Sequence, residues 1–317
     1  METAQKTIVV ALGGNALQRN GEASVKAQQE VAKETAKQLA ILVKAGYKLV
    51  IVHGNGPQVG DILLHEEAKG LSLPPESPLD TCVSMSQGEI GYWLQQALQN
   101  ELAAQGIEKN VATIITQVVV DKDDSAFQNP SKPIGPFYPD QSTAEAAAQE
   151  RGFMVKEDAG RGWRRVVPSP MPLDIVEKGL IRDVLSADSI VIAAGGGGVP
   201  VVRRDNQLAG VEAVIDKDHS AAKLAELIEA DILMILMDLD QASINFRQPD
   251  ETPLDAITTQ ELQRYIDAGQ FAPGSMLPKI QAAVAFAQIK PGNRAIITSA
   301  GKALAAIDGQ AGTRVTA

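Results

Sequence analysis

The chain has 317 residues and a formal net charge of −10, and aromatic side chains make up only 4% of it. The negative charge argues against a nucleic-acid backbone or an anionic membrane surface as a partner, and the scarcity of aromatics argues against a base-stacking surface. One cysteine, Cys82, excludes an intramolecular disulfide framework, and three histidines disfavour a dedicated transition-metal site. The first residues lack the apolar core of a signal peptide, and no apolar run approaches the ~20 residues that span a bilayer. The sequence therefore predicts a soluble, cytoplasmic protein.

The first 120 residues alternate between short apolar runs and helical patterns. Apolar runs of strand length stand at 7–12, 48–52 and 111–120, and helical spacing is found at about 24–45, 60–69 and 84–105. Three prolines in 71–78 are typical of a connection. The repeated order of strand, helix and strand predicts an α/β protein with a mostly parallel open sheet covered by helices on both faces.

The regular alternation stops at residue 121 and resumes at about 170. Four prolines fall within ten residues here (Pro130, Pro133, Pro136 and Pro139), a density incompatible with a helix or a central strand. A short helix is predicted at 143–149. An excursion of this length between regular units is usually functional, and often a lid. We expect a single domain over 1–317 that carries a small protruding lid subdomain at 124–168.

The C-terminal half returns to the α/β pattern. Helices are predicted at 172–186, from Ser220 as N-cap to about 229, from a capping box at Thr258, and from the Gly274–Lys279 stretch. Strands are predicted at 189–194, 232–236 and 295–298.

Three predicted strands end in glycine clusters, at Gly13-Gly14, at Gly54/Gly56 and at Gly195–Gly198. Ligands of open α/β sheets bind at the carboxyl ends of strands, and glycines let backbone N–H groups approach phosphate oxygens. The chain lacks G-x-x-x-x-G-K-[ST], and the Gly54 cluster lacks the third glycine of G-x-G-x-x-G. The clusters together predict an anion site that is not of the Walker class, and the missing glycine disfavours a dinucleotide site.

Three lysines stand beside glycine or proline turns: Lys132, Lys217 and Lys279. Phosphoryl transfer between two anions depends on positive charge along the path of the phosphoryl group more than on a base. Lys217 lies between Asp216 and Asp218, which could fix its ammonium in place. The alternative is that these lysines are ordinary solvated charges. His53, at a strand end, could orient a loop, although a structural role is the better interpretation.

Several longer motifs resemble those of carbamate kinases, a branch of the amino acid kinase family. They are Val10-Ala-Leu-Gly-Gly-Asn-Ala16, His53-Gly-Asn-Gly-Pro-Gln-Val-Gly60, Ser86-Gln-Gly88 with Ile90-Gly-Tyr92, Asn129-Pro-Ser-Lys-Pro133, Glu157-Asp-Ala-Gly-Arg-Gly-Trp-Arg-Arg-Val-Val-Pro168, Gly195–Gly198, Val211-Glu-Ala-Val-Ile-Asp-Lys-Asp218 and Gly274-Ser-Met-Leu-Pro-Lys279. The resemblance covers the chain almost from end to end. It implies a three-layer α/β/α sandwich, a homodimer, and magnesium-dependent exchange of ATP and carbamate with ADP and carbamoyl phosphate, used to make ATP in fermentative catabolism of arginine or a related carbamoyl donor.

The resemblance also implies roles for individual residues. The carbamate and the transferred phosphoryl group are expected on Gly13, Gly14, Asn15, Gly54, Asn55 and Gly56. The catalytic set is Lys132, Lys217, Lys279 and Asp218, with Asp218 holding lysines in place. The nucleotide is expected on Gly195, Gly196, Gly197, Gly198, Asp216 and Met276. No protein ligands are expected for magnesium, which would be held through the nucleotide phosphates.

Elementary chemistry agrees with this assignment, because carbamate is already an oxyanion at neutral pH and needs no general base to attack phosphorus. Two departures from the wider family pattern bear on the alternatives. Ala11-Leu12 stand where many relatives carry a lysine, an absence that carbamate kinases share and that favours them over kinases of a larger carboxylate such as acetylglutamate. Met237 stands where a threonine is expected, near the nucleotide pocket. It motivates the other alternative, a nucleotide-binding paralogue without catalysis.

Overall fold

The computed structural model describes residues 5–13, 24–67, 77–158, 160 and 162–317. Its strands are β1 (Thr7–Leu12), β2 (Lys48–His53), β3 (Val111–Thr113), β4 (Gln117–Val120), β5 (Lys132–Tyr138), β6 (Met154–Glu157), β7 (Trp163–Val167), β8 (Pro172–Ile175), β9 (Ile190–Ile192), β10 (Val199–Arg204), β11 (Gln207–Gly210), β12 (Ile232–Met237), β13 (Ser243–Ile244), β14 (Thr252–Pro253), β15 (Ala256–Thr258), β16 (Arg294–Ser299) and β17 (Thr313–Thr316). Its α-helices are α1 (Val25–Lys44), α2 (Gly56–Glu67), α3 (Leu79–Ala104), α4 (Gln141–Arg151), α5 (Lys178–Ser186), α6 (Lys217–Leu227), α7 (Thr259–Asp267), α8 (Met276–Ala287) and α9 (Ala303–Ile307).

Eight strands form the main sheet in the order β15-β17-β16-β12-β1-β2-β9-β3. All neighbouring pairs are parallel except β16 with β17. The central strand β1 is buried on both faces, which explains why its sequence is a continuous apolar run and not an alternating one. The predicted mostly parallel open sheet is confirmed.

The two faces of the main sheet support two separate core clusters. Ile8, Val10 and Leu12 of β1 pack with side chains of α1 and α3 such as Leu39. The alternate residues of the same strand pack with side chains of α5, α6 and α8 such as Phe286. Because successive side chains of a strand point to opposite faces, this division makes the fold an α/β/α sandwich, as predicted.

The single strand predicted at 111–120 is wrong. The chain forms β3 at the edge of the main sheet and then β4 in a second sheet of order β11-β10-β4-β8. The break falls at residues 114–116, where Thr116 binds the side chain of Gln87 through both its backbone N–H and its C=O. A side chain from α3 thus satisfies the backbone groups that a continuous strand would have used.

The excursion contains regular structure of its own, to which we refer as the insertion (residues 124–168). Its sheet has the antiparallel order β5-β7-β6, and α4 runs between β5 and β6. Pro133 and Pro136 lie in β5, an edge strand, where proline is tolerated. Helix α4 extends the predicted short helix at both ends, from its N-cap Asp140 to Gly152 at φ 73°.

Several predicted helix boundaries are also wrong. The helix predicted at 172–186 is strand β8 followed by α5, and α2 begins at Gly56 instead of Gly60. Helix α6 begins at Lys217, with Asp216 in place of Ser220 as its N-cap. The capping box of α7 at Thr258 is confirmed. Within the described part of the chain, no helix combines the length and the apolar character that a membrane span needs.

Candidate active site

A cavity of about 190 Å³ opens where several chain segments meet at the carboxyl ends of β2 and β9. Its walls come from the loop between β2 and α2, the glycine turn after β9, the N-terminus of α6, the segment before α8, and the insertion. It is lined by Gly54, Asn55, Gly56, Pro57, Gln58, Lys132, Pro133, Arg164, Gly196, Ile215, Asp216, Lys217, Asp218, Gly274, Ser275 and Lys279. The structure therefore brings the three predicted lysines and both predicted aspartates into one cavity.

Two carboxylates hold the three lysines. Asp218 accepts from Lys217 at 2.7 Å through Oδ1 and from Lys279 at 2.9 Å through Oδ2. Its side chain is 2% exposed, so the two oxygens have little contact with water. Asp216 pairs through Oδ2 with Lys132 of the insertion. Positive charge thus converges on one small space from α6, α8 and β5.

Asp216 has a second role through its other oxygen. Its Oδ1 accepts from the backbone N–H of Asp218 at 2.9 Å, which is the N-cap bond of α6. The same carboxylate therefore fixes the start of α6 and the side chain of Lys132 from the insertion. Because Lys217 is the first residue of α6, its ammonium also lies at the positive end of the helix dipole.

The charge states of this cluster follow from burial and from its ion pairs. Burial alone would raise the pKa values of Asp216 and Asp218, but the neighbouring lysines outweigh it and lower both. Burial lowers the pKa of Lys217 to about 8, against the attraction of Asp218. Burial also disfavours the charge of Lys279, yet Asp218 raises its pKa above the usual value. Of these two lysines, Lys217 is the one that loses its proton more readily.

The loop after β2 lies directly against Lys217. A Cβ at Gly54 would stand 3.3 Å from Cδ of Lys217, so the glycine lets the lysine side chain pass along the loop. Asn55 is buried, and its Nδ2 donates to Oγ of Ser86 at 2.9 Å. Ser86 in turn donates to the carbonyl of Val83. Helix α3 therefore sets the orientation of the Asn55 amide.

The glycine turn after β9 has internal hydrogen bonds. Gly195–Gly197 form a 3₁₀ turn, and the N–H groups of Gly197 and Gly198 donate to the carbonyls of Ala194 and Gly195 at 3.0 Å. Those two N–H groups already have partners inside the turn. Of the four glycines, Gly196 lines the cavity.

Close packing explains why this turn is made of glycine. Gly196 has φ 65°, and a Cβ there would lie 2.1 Å from Nδ2 of Asn55. A Cβ at Gly197 would lie equally close to the carbonyl oxygen of Ile215, and one at Gly195 would collide with His53. The turn is thus pressed against the loop after β2 and the segment that precedes α6.

Besides Gly195, Gly197 and Gly198, four more predicted site residues do not line the cavity or cannot be placed: Gly13, Gly14, Asn15 and Met276. Gly13 donates its N–H to Leu236 at 2.9 Å, and a Cβ there would meet the same carbonyl oxygen. Gly14 and Asn15 lie outside the described residues. Met276 is half-buried and packs against the core beside the cavity. Met237 ends β12 and packs against the same core cluster.

Sequence reasoning missed the polar contacts that connect α3 with the glycine turn. Gln87 binds both backbone groups of Thr116, whose Oγ1 accepts from the N–H of Ala194 at 2.9 Å. Ser86 and Gln87 stood in a recognised motif, but nothing in their spacing revealed these partners.

Arg164 of β7 was also missed. It lines the cavity, donates to the carbonyl of Gly135, and pairs with Asp158 at 3.3 Å. His53 has the predicted structural position: its Nδ1 contacts the carbonyl of Gly54, its Nε2 has no partner among the described residues, and burial lowers its pKa to about 4.

The model of the amino acid kinase family matches residues 6–299. The chain therefore belongs to the amino acid kinase family. Among curated proteins, it is 54% identical to carbamate kinase 1 of Enterococcus faecium over 93% of both chains, and 54% identical to the carbamate kinase of Pyrococcus horikoshii over 98% of both. The resemblance to carbamate kinases that the motifs indicated is confirmed.

Solved structures agree with the assignment. The carbamate kinase from Giardia lamblia bound to citric acid superposes with a TM-score of 0.93 at 43% identity, and the same enzyme bound to AMP-PNP superposes with 0.89 at 44%. Each match covers 99% of both chains. Comparisons of sequence and of structure thus lead to the same family.

Proposed function

We propose that this protein is a carbamate kinase, which catalyses reversible phosphoryl transfer between ATP and carbamate to give ADP and carbamoyl phosphate. The observation that carries the proposal is the convergence of Lys132, Lys217 and Lys279 on one cavity in a chain about half identical to carbamate kinases over nearly its full length. A site made of ammonium groups suits a nucleophile that is already an oxyanion, because the reaction needs charge stabilisation and alignment but no proton abstraction.

In this proposal the residues on one side of the cavity bind carbamate, those on the other side bind the nucleotide, and two lysines act between them. Carbamate and the transferred phosphoryl group lie on the side of Gly54–Gly56, and the resemblance to carbamate kinases adds Gly13, Gly14 and Asn15 to this side. The nucleotide approaches Gly195–Gly198, Asp216 and Met276, with Gly196 the glycine that borders the cavity. Lys217 and Lys279, held by Asp218, stabilise the phosphoryl group as it moves between the two sides.

Lys132 comes from the insertion and is paired with Asp216. An entering phosphate competes with Asp216 for this ammonium, so binding of an anion redistributes the contacts between the insertion and α6. We propose on this basis that the insertion acts as a lid over the site. Its position supports the role, since Lys132, Pro133 and Arg164 all line the cavity.

Magnesium is expected to arrive with the nucleotide. Among the described residues no group of three or more His, Cys, Asp or Glu side chains is placed to hold a metal ion, and the two carboxylates in the cavity are engaged by lysines. This donor set fits an ion bound through phosphate oxygens and water, where it neutralises charge on the nucleotide. The family resemblance further supports a cytoplasmic homodimer that makes ATP in fermentative catabolism of arginine or a related carbamoyl donor.

The test is formation of ATP from carbamoyl phosphate, ADP and magnesium by the purified chain, with Lys217→Ala as the matched control. We expect ATP formation by the native chain and a loss of roughly a hundredfold or more in the variant. ATP formation no greater than that of the variant would contradict the proposal. Retained nucleotide binding in that case would favour a non-catalytic paralogue, and phosphorylation of acetylglutamate at a comparable rate would favour a kinase of larger carboxylates.

A further inference from the structure

The cluster around Lys217 carries more positive than negative charge. Three lysines face two carboxylates, because Lys217 and Lys279 share Asp218 while Lys132 takes Asp216. The other charged group of the cavity, Arg164, has its own partner in Asp158. His219 of α6 adds no charge near neutral pH, since burial lowers its pKa. Among the described residues that line the cavity, three ammonium groups and two carboxylates therefore leave an excess of one positive charge until an anion binds.

Lys217 is the lysine that most readily removes this excess positive charge, by losing a proton. It is the most buried of the three, with its side chain 10% exposed against 24% for Lys132 and 16% for Lys279. Its ammonium lies at the N-terminus of α6, where the helix dipole disfavours a cation. These features agree with its lowered pKa of about 8. Near that pH a large fraction of Lys217 is a neutral amine, which is the nucleophilic form.

Under the proposed function, the amine of Lys217 lies in the region that binds the carbamoyl group. The Lys217 side chain runs along Gly54, and both line the cavity that, under the proposed function, holds carbamoyl phosphate. Carbamoyl phosphate is an activated acyl donor, so an adjacent neutral amine can attack its carbonyl carbon in place of ADP attacking its phosphorus.

We propose that Lys217 is a self-carbamoylation site, modified by carbamoyl phosphate bound in the same cavity when ADP is absent; this inference rests on the proposed function. The amine nitrogen of Lys217 forms a bond to the carbamoyl carbon, the bond from that carbon to the phosphate oxygen breaks, and inorganic phosphate leaves with the proton that the amine gives up. The product is a neutral urea in place of the ammonium, so the modified chain loses its central cation. ADP opposes the modification by drawing carbamoyl phosphate into phosphoryl transfer.

The test follows the modification on the native full-length chain by peptide mass spectrometry, after incubation with carbamoyl phosphate and magnesium without ADP. Lys26, exposed on α1, is the reference, and Lys279 is a control within the cavity because its pKa is raised. With its pKa of about 8, Lys217 should react at about pH 8.5 roughly tens of times faster than an ordinary exposed lysine. Lys279 should stay below Lys217 by a similar factor.

The dependence on pH and on concentration gives two further signatures. Between about pH 6.5 and about pH 8.5 the rate at Lys217 should rise roughly 25-fold and then level off, whereas an ordinary exposed lysine rises roughly 100-fold and continues to rise. The rate at Lys217 should saturate with carbamoyl phosphate, whereas the rate at Lys26 should stay proportional to it. Loss of ATP-forming activity should run parallel to the modification of Lys217.

A second arm replaces carbamoyl phosphate with cyanate, the small carbamoylating anion to which it decomposes. If cyanate at equal concentration modifies Lys217 as fast, or if the rate with carbamoyl phosphate does not saturate, modification by the bound substrate is refuted. ATP formation by the untreated chain reports the proposed function separately. If the protein makes ATP but shows no excess modification at Lys217, this inference is refuted and the proposed function stands. If the protein makes no ATP, the proposed function is refuted, whatever the extent of modification at Lys217.

Discussion

Asp218 offers the sharpest test of how the site is organised, because one carboxylate holds two of the lysines. Replacing it by asparagine preserves the shape of the side chain but removes the charge that Lys217 and Lys279 share at 2.7 and 2.9 Å. Both lysines would remain, but each ammonium group would lose the ion pair with Asp218 that fixes its position. We expect turnover to fall roughly a hundredfold to a thousandfold, the range typical of losing one preorganised charge contact.

The effect of Asp218→Asn on stability should be smaller than the usual cost of breaking a buried ion pair. That cost is about 3–5 kcal/mol when an uncompensated charge stays buried. Lys217 has a pKa of about 8, so at about one pH unit below it the lysine can shed its proton for only about 1.4 kcal/mol. Lys279, whose pKa Asp218 raises, keeps its proton but has the more exposed side chain of the two lysines, at 16%, so the variant should fold with a loss near the lower end of that range.

The assay measures kcat and KM for ATP formation, together with chemical denaturation, on Asp218→Asn and on Asp183→Asn. Asp183 is exposed on α5 and serves as the matched control, with near-native values expected. Without Asp218 the pKa of Lys217 falls further, so the remaining activity should decline at lower pH than in the native chain. Turnover within about threefold of native in a folded Asp218→Asn chain would refute the role that we give to this carboxylate.

Three further predictions concern other parts of the site. In the native chain, log kcat/KM should fall with a slope approaching −1 above about pH 8, as Lys217 loses its proton, and a flat profile up to pH ~10 would contradict the assignment. Gln87→Leu leaves the buried N–H of Thr116 without its partner and should lower the free energy of unfolding, measured by chemical denaturation, by about 1–3 kcal/mol. Gln96→Leu, on the exposed face of α3, should lower it by less than about 0.5 kcal/mol. Gly196→Ala should reduce turnover roughly a hundredfold by displacing the loop after β2, whereas Gly179→Ala in α5, where a Cβ meets nothing within 4 Å, should leave it unchanged; equal activities of these two variants would refute the contact.

The sequence sufficed to predict the main sheet and the family because both depend on local signals. Continuous apolar runs gave β1, β2, β9, β12 and β16, and the capping residues at Thr258 gave α7. The lysines were found for a similar reason, since each stands beside a turn that the sequence makes visible. Their convergence is a property of the fold, but the rule that ligands bind at the carboxyl ends of parallel strands anticipated it.

The errors arose where distant contacts override a local pattern. Residues 111–120 look like one strand, yet Gln87, distant in sequence, binds the backbone of Thr116 and divides the run between two sheets. The four glycines also bring three segments of the protein into contact, and the N–H groups of Gly197 and Gly198 have partners inside the turn, so phosphate binding by these glycines stays a prediction. Glycine allows close approach to phosphate and to protein alike, and a sequence does not say which of them is present.

The contact between Gly60 and Gly135 has a consequence for recombination among family members. A Cβ at Gly60 would lie 2.0 Å from Cα of Gly135, so α2 and β5 touch backbone to backbone with no space for any other residue at Gly60. The carbonyl of Gly135 is held by Arg164 as well. A chimera that exchanges 124–168 must therefore keep glycine at 60, because of this contact, and at 135, because φ there is 71°, or it must exchange 56–67 together with the insertion.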